Sequence, residues 1–274
     1  MMGQTEGGTD MRKTIFVACV VIGVAAGGLA SAQEEGEEGG WYNKETWPYE
    51  LTKRPLTLGK GMTEIQVEVG INASSDRFAK PISIGPDFYY GVNEQLTVGL
   101  VHATGLCLSG ESSGCAKVYD DVGLEALYAV MGTGSLNFAV RGGLMVHSLS
   151  ELTMAFHIGV PIKYRSGGFA VLVAPDFMLG LTDRDAGNKE YLTLPLQLQF
   201  QATPQAGVFV ETACQGPTSG FGDSYQVPVG AGVQFAAARS FDLGGRFTVG
   251  NLIVTRGADR ASSRAIEVFA NLRF

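Results

Sequence analysis

The sequence predicts an all-β fold, a transmembrane antiparallel up-and-down β-barrel of about 12 strands. Three observations predict it. Beyond residue 62, apolar side chains alternate with polar or small ones. The connections between the alternating stretches are short and long in turn. An aromatic residue recurs on the apolar face at the end of every second stretch.

Composition narrows the field first. Gly supplies 38 of 274 residues, and charged residues make up 17%. Gly weakens helix interiors, so this balance favours many short strands. The hydrophobic share of 45% is ordinary, so composition does not predict disorder. A net charge of −7 argues against a partner made of nucleic acid phosphates. Four Cys are too few for a disulfide-dense scaffold.

Residues 1–32 read as a signal peptide region. Met11-Arg12-Lys13 is a basic start, the stretch from Thr14 to Leu29 is apolar or small, and Ala30-Ser31-Ala32 is a small-residue cleavage site. The apolar run is short for a spanning helix. The expectation is export with cleavage after Ala32, with Met1 or Met11 as the start. Residues 33–62 form a separate acidic and aromatic segment. It opens on Gln33-Glu34-Glu35 and then carries Trp41, Tyr42, Trp47, Pro48 and Tyr49. The acidic part reads as a tail. The aromatic part has three open fates: docking at a membrane interface, entering a pore, or packing locally.

The barrel is expected over 63–274. Ile65, Val67, Val69 and Ile71 alternate with Glu64, Gln66, Glu68 and Gly70. Leu192, Leu194, Leu196, Leu198 and Phe200 alternate with Thr193, Pro195, Gln197, Gln199 and Gln201. Strand geometry points such series to opposite faces. The predicted strands are 63–72, 81–91, 96–102, 119–131, 136–147, 154–165, 169–179, 191–202, 207–214, 226–237, 241–252 and 264–274. Connections such as 91–95 and 203–206 are short, whereas 103–118, 180–190, 215–225 and 253–263 are long. Barrels spanning a bacterial outer membrane have this asymmetry, with short turns on the periplasmic side.

Tyr90, Tyr128, Tyr164, Phe200, Phe235 and Phe274 end the even-numbered strands on the apolar face at nearly constant spacing. Amphipathic rings favour the headgroup level of a membrane, so this row is read as a periplasmic-side aromatic belt. Pro81, Pro161, Pro195 and Pro228 stand near the start of even strands, and Pro cannot donate to a ladder. They are expected towards the long-loop rim, as markers of strand starts.

The final stretch, Ala265-Ile266-Glu267-Val268-Phe269-Ala270-Asn271-Leu272-Arg273-Phe274, resembles the C-terminal signature of Gram-negative outer-membrane β-barrel proteins. The hairpin phrase from Phe88 to Leu100 looks like a porin-type strand–turn–strand. The resemblance covers the last strand by motif and 63–274 by architecture. It implies a chain located in the cell outer membrane, with lipid and the barrel-insertion machinery as partners, the latter through the strand ending at Phe274. A soluble β-sandwich is the rival fold. It does not explain an apolar face along nearly every strand opposite a face rich in Gly, Ala and Gln.

With the apolar series outward, the inner face carries Glu64, Glu68, Asp87, Asp121, Glu125, Asp176, Glu211, Asp242 and Glu267 as acids. Arg141, Lys163, Arg165, Arg246 and Arg273 are the bases, with His147 and His157 beside them. Acids outnumber bases. Glu68, Asp87, Glu125, Arg141, His157, Asp176, Gln197, Arg246 and Glu267 are the pore-lining candidates. Glu125 with Arg141, and Glu267 with Arg246, are expected at similar heights on neighbouring strands, either as ion pairs in the wall or as a charged constriction. Inward Gly, including Gly99, Gly143, Gly232 and Gly244, removes bulk and suggests water inside rather than a packed plug. About 12 strands make a barrel wider than one that side chains fill and narrower than large porins. The function that follows is a porin-like channel for passive passage of small hydrophilic or ionic solutes, with a weak cation preference. The alternative is a closed barrel that binds or builds through its outer loops.

Cys107 and Cys115 share one long loop and are expected to form a disulfide in an exported chain. No cofactor or metal is expected, because no His or second Cys pair accompanies them. Cys214 has no predicted role. His102, His147 and His157 with Ser148 and Ser150 raise the idea of a barrel hydrolase, but their spacing marks no nucleophile–base pair. The Pro-Asp-Phe triplets at Pro86 and Pro175 fall on strands of opposite direction and are read as coincidence.

Overall fold

The computed structural model describes residues 42–74, 77–115, 117–132, 134–254 and 263–274. The expected signal peptide and the acidic tail before Tyr42 lie outside the described residues, as does most of the 253–263 loop.

The chain is a closed 12-strand antiparallel barrel. Its strands are β1 (Thr63–Asn72), β2 (Ile82–Gly91), β3 (Leu96–Val101), β4 (Leu106–Cys107), β5 (Val122–Met131), β6 (Leu136–Ser148), β7 (Thr153–Gly159), β8 (Ile162–Ser166), β9 (Phe169–Val173), β10 (Asp176–Gly180), β11 (Tyr191–Gln201), β12 (Ala206–Pro217), β13 (Gln226–Ala238), β14 (Phe241–Val254) and β15 (Arg264–Arg273). The pairs β7/β8 and β9/β10 are each one stave broken in the middle. The two-residue β4 continues the stave of β3, pairing with Ser83 and Ile84 of β2. The other strands follow one another around the wall in chain order. Closure comes from β1 against β15, in a register that sets Glu64 opposite Arg273 and Ile71 opposite Ile266. Closing the sheet pairs the edge groups that lipid cannot hydrate.

The alternation in the sequence is the cause of the wall. Leu124, Phe156, Ile158, Phe200, Phe247 and Val268 stand exposed on the outside. Glu, Asp, Gln and Arg of the intervening positions face the lumen. Tyr90, Tyr128, Phe200, Phe235 and Phe274 are exposed on the outer face beside the short turns.

Two breaks in the wall are prolines. Pro161 separates β7 from β8, and Pro175 separates β9 from β10. Each lacks the N–H that a ladder needs. Their carbonyls still accept: Ala139 N–H donates to Pro161 (3.0 Å), and Val160 N–H to Pro175 (2.9 Å). The wall bends without opening. Pro81 does precede β2, but Pro161 and Pro195 lie well inside the wall rather than at a rim. Pro228 sits at a register shift between β13 and β14. Reading every Pro as a strand start fails because a carbonyl alone can keep half a ladder step.

At the long-loop end, Cys107 and Cys115 are disulfide-bonded, with Cα atoms 5.8 Å apart. The Asp121 carboxylate accepts from the N–H groups of Ala103 (2.9 Å) and Thr104 (3.0 Å). Asp121 therefore holds loop backbone instead of lining the lumen.

Four inward glycines, Gly99, Gly143, Gly232 and Gly244, correct the expectation of open space. Gly99 lies directly opposite Tyr89, Gly232 opposite Phe209, and Gly244 opposite Phe269. A Cβ on Gly99 would come within 2.6 Å of the Tyr89 ring, and the other two positions are equally covered by rings. His157 lies over Gly143 in the same way. The missing side chain is a seat for a neighbour's ring.

Candidate functional site

Residues 42–62 enter the barrel. Of the three fates left open for this aromatic segment, the structure places it inside the lumen, at the short-turn end. Trp47, Leu58 and Met62 form a buried cluster there, with Tyr42 and Tyr89 packed against it. A single 3-10 turn, Leu51–Lys53, is its regular structure. The expectation of a lumen free of any plug is thus corrected: apolar side chains supplied by the chain itself cover this mouth.

The wall meets this segment with charge. Arg54 Nη1 and Nη2 donate to the two oxygens of Asp242, each at 2.6 Å. Arg273 Nη2 donates to the same carboxylate at 2.6 Å, and its Nε is paired with Glu64. Lys163 Nζ donates to the carbonyls of Leu51 (2.9 Å) and Arg54 (3.0 Å). Arg165 donates to Lys53 O (3.0 Å). The Arg273 guanidinium also lies 5.0 Å from the Trp47 ring centroid. Buried charges persist when paired and hydrogen-bonded; Arg54, Arg273, Glu64 and Asp242 are paired with one another, and Lys163 is held by two main-chain carbonyls.

Above this floor the lumen carries two charge clusters on opposite sides of the strand order. In the first, Arg246 of β14 reaches both oxygens of Glu68 at 3.2 Å, is paired with Glu267 directly across the ladder, and lies 3.8 Å from Glu211. Gln197 donates to Glu211 (3.2 Å). The Glu68 side chain is 40% exposed, so it is the most open of the four. One guanidinium cannot neutralise three carboxylates, so this cluster keeps an acidic excess.

In the second cluster, Arg141 Nη2 lies 2.7 Å from Asp176, and His157 Nδ1 lies 3.4 Å from the same oxygen. The other His157 nitrogen is 4.0 Å from Glu125. Arg141 lies opposite Leu127, one inward step from Glu125, and turns across to Asp176. Asp87 accepts from the His102 N–H (2.8 Å), with the ring 3.1 Å from Tyr119 Oη on its far side. The structure thus brings Glu125, Arg141, His157 and Asp176 together, gathers Glu68, Arg246 and Glu267 with Gln197 opposite them, and leaves Asp87 with His102. Between the floor and these clusters lies a cavity of about 440 Å³, bordered by Trp47, Arg54 and Leu58 below and by Glu64, Glu125 and Arg141 on the wall.

Ser148 and Ser150 donate to Asp120, while His147 Nε2 faces Met178 Sδ at 3.2 Å. These groups are not arranged as nucleophile and base. Among the described residues, no group of His, Cys, Asp and Glu is placed to hold a metal ion.

Sequence reasoning missed Arg54 as a lumen residue. A signal was present: Lys53-Arg54 is a basic pair inside an otherwise acidic and aromatic stretch, while Asp242 and Glu64 wait on the inner face. It also missed Tyr89, Phe209 and Phe269 as inward aromatics, although each has a Gly as its direct partner.

Solved structures that superimpose on this barrel include porins and an outer membrane channel. The KdgM porin superimposes with a TM-score of 0.55 at 8% identity, covering 77% of this chain and 99% of that one. An outer membrane channel from Pseudomonas putida F1 gives 0.54 at 12% identity, covering 80% and 97%. The NanC porin gives 0.50 at 9% identity, covering 76% and 98%. The chain has the fold of an outer-membrane porin. Identities this low carry the fold alone. No protein-family model matches the sequence, and no curated protein does.

Proposed function

We propose that this porin-like barrel sits in the cell outer membrane and passes small hydrophilic or ionic solutes, with a weak preference for cations. One observation carries the reading: a closed wall has an apolar outer belt and an inner face whose carboxylates outnumber its cations. Lipid suits the first surface and water the second. Glu68, Glu211 and Glu267 around Arg246 give the lumen its sign, and rings of acids favour cations in pores. The KdgM porin has been solved in complex with disordered oligogalacturonate. Such a polyanion does not suit the acid-rich lumen here, so uncharged or cationic solutes are the proposed class. The strand ending at Phe274 is the proposed contact with the barrel-insertion machinery, and residues 1–32 the proposed export signal.

A closed binding barrel is the second reading, favoured by the floor that residues 42–62 lay across one mouth. Planar-bilayer recording of the purified, detergent-folded chain separates the two. Stable current with a reversal potential biased to cations supports the channel. Silence at every voltage supports the closed barrel, and current without cation bias removes the selectivity.

A further inference from the structure

We propose that residues 42–62 are a gate, a plug that can leave the short-turn mouth and return to it, latched by Arg54 on Asp242. The inference rests on the channel reading above and adds its regulation.

The first argument is the chemistry of the seat. A permanent filler would gain most from apolar contacts, because burying ions costs desolvation that their attraction only partly offsets. The wall here instead offers Glu64, Lys163, Asp242 and Arg273, all buried under the plug. These groups are compatible with water once the plug has gone. Arg273 contacts both Glu64 and Asp242 by itself, so the vacated wall keeps its ion pairs when Arg54 departs.

The second argument is the kind of contact. Towards the plug, Lys163 and Arg165 touch main-chain carbonyls of Leu51, Lys53 and Arg54. Arg239 likewise donates to the Trp47 carbonyl. Water can replace a cation at a carbonyl with little loss. No strand of the wall pairs along residues 42–60.

The third argument is the tether. The plug joins β1 through Gly59-Lys60-Gly61. Gly61 has φ of 76°, a conformation that favours Gly, and its N–H donates to Gly91 O at 2.7 Å. Gly91 returns a bond to Met62 O at 2.9 Å. These two bonds fix the pivot beside the wall. Leu58 N–H donates to Thr97 Oγ1 at 2.8 Å, just beyond it. Trp47, Arg54, Leu56, Thr57 and Leu58 then form the floor of the central cavity, so the seated plug lies across the solute path.

The test is a lock and a release. In Leu58→Cys/Thr97→Cys, oxidation ties the plug to the wall, and Thr97→Cys alone controls for reduction of Cys107–Cys115. The locked barrel should pass several-fold less current than the same protein after reduction. Arg54→Met should raise current several-fold above the parent. Equal conductance in the locked, reduced, released and parent forms overturns the gate and leaves the channel reading standing. No current in any of them, including the released form, overturns both.

Discussion

Arg54 and Asp242 meet inside the barrel as a two-pronged pair, with both terminal nitrogens of the guanidinium 2.6 Å from the carboxylate oxygens. They stand 188 residues apart in the chain. One belongs to a segment without strands and the other to the start of β14, so the pair ties the plug to the wall.

That pair predicts a stability effect. Asp242→Ala leaves Arg54 and Arg273 buried without their shared carboxylate. Removing one partner of a buried pair costs about 3–5 kcal/mol. Urea unfolding of the folded barrel should move to lower denaturant, and trypsin should cut after Lys53 faster than in the parent. An unchanged midpoint with unchanged cutting would contradict the pair's role.

Selectivity should follow Glu68. It is the most exposed carboxylate around Arg246, so Glu68→Gln should shift the reversal potential towards anions. Arg246→Gln should shift it the other way, because it releases three acids from their shared cation. Both shifts should shrink at high salt, where screening is short-ranged. Identical reversal potentials in parent and variants would remove the Arg246 cluster from selectivity.

The ring-over-glycine joints predict intolerance of bulk. Gly244→Val places a side chain where the Phe269 ring lies. Overpacking of this kind costs about 1–3 kcal/mol. Gly85, on the same inner face with open space above it, is the control. Gly85→Ala should leave the urea midpoint where it is, and Gly244→Val should lower it.

Acid should loosen one outer turn. The Ser148 hydroxyl, followed by the Ser150 N–H, holds the exposed Asp120 carboxyl below its ordinary value. A carboxyl lowered by folding contributes fully above its unfolded value of about 3.9 and loses that contribution as pH falls through the lower folded value. The protection of the Ser150 and Glu151 amides, their exchange rate relative to the intrinsic rate at each pH, should therefore fall as the pH drops below that range. In Asp120→Asn the same amides should exchange without this pH step, and a step that persists would assign it to another group.

Much of the wall was legible from residues. The series Ile65, Val67, Val69, Ile71 can only be a half-apolar strand, because a period of two sends these side chains to one face. The placement of Glu267 opposite Arg246 follows from the same counting. Period-two reading fails at Pro161 and Pro175, where a break in the ladder is bridged by proline carbonyls. It fails more deeply for Arg54, Trp47 and Leu58, which have no period at all.

The sequence by itself determined a closed barrel with lipid-facing Leu124, Phe156 and Val268 and a charged interior, since alternation acts between adjacent residues and needs no knowledge of the whole. Only the tertiary structure decided what occupies that interior. Whether Gly99 leaves a gap or seats Tyr89, and whether Asp242 meets water or Arg54, depends on strands and segments far apart in the chain. Those contacts exist only once β15 has closed on β1 and made an inside for residues 42–62 to enter.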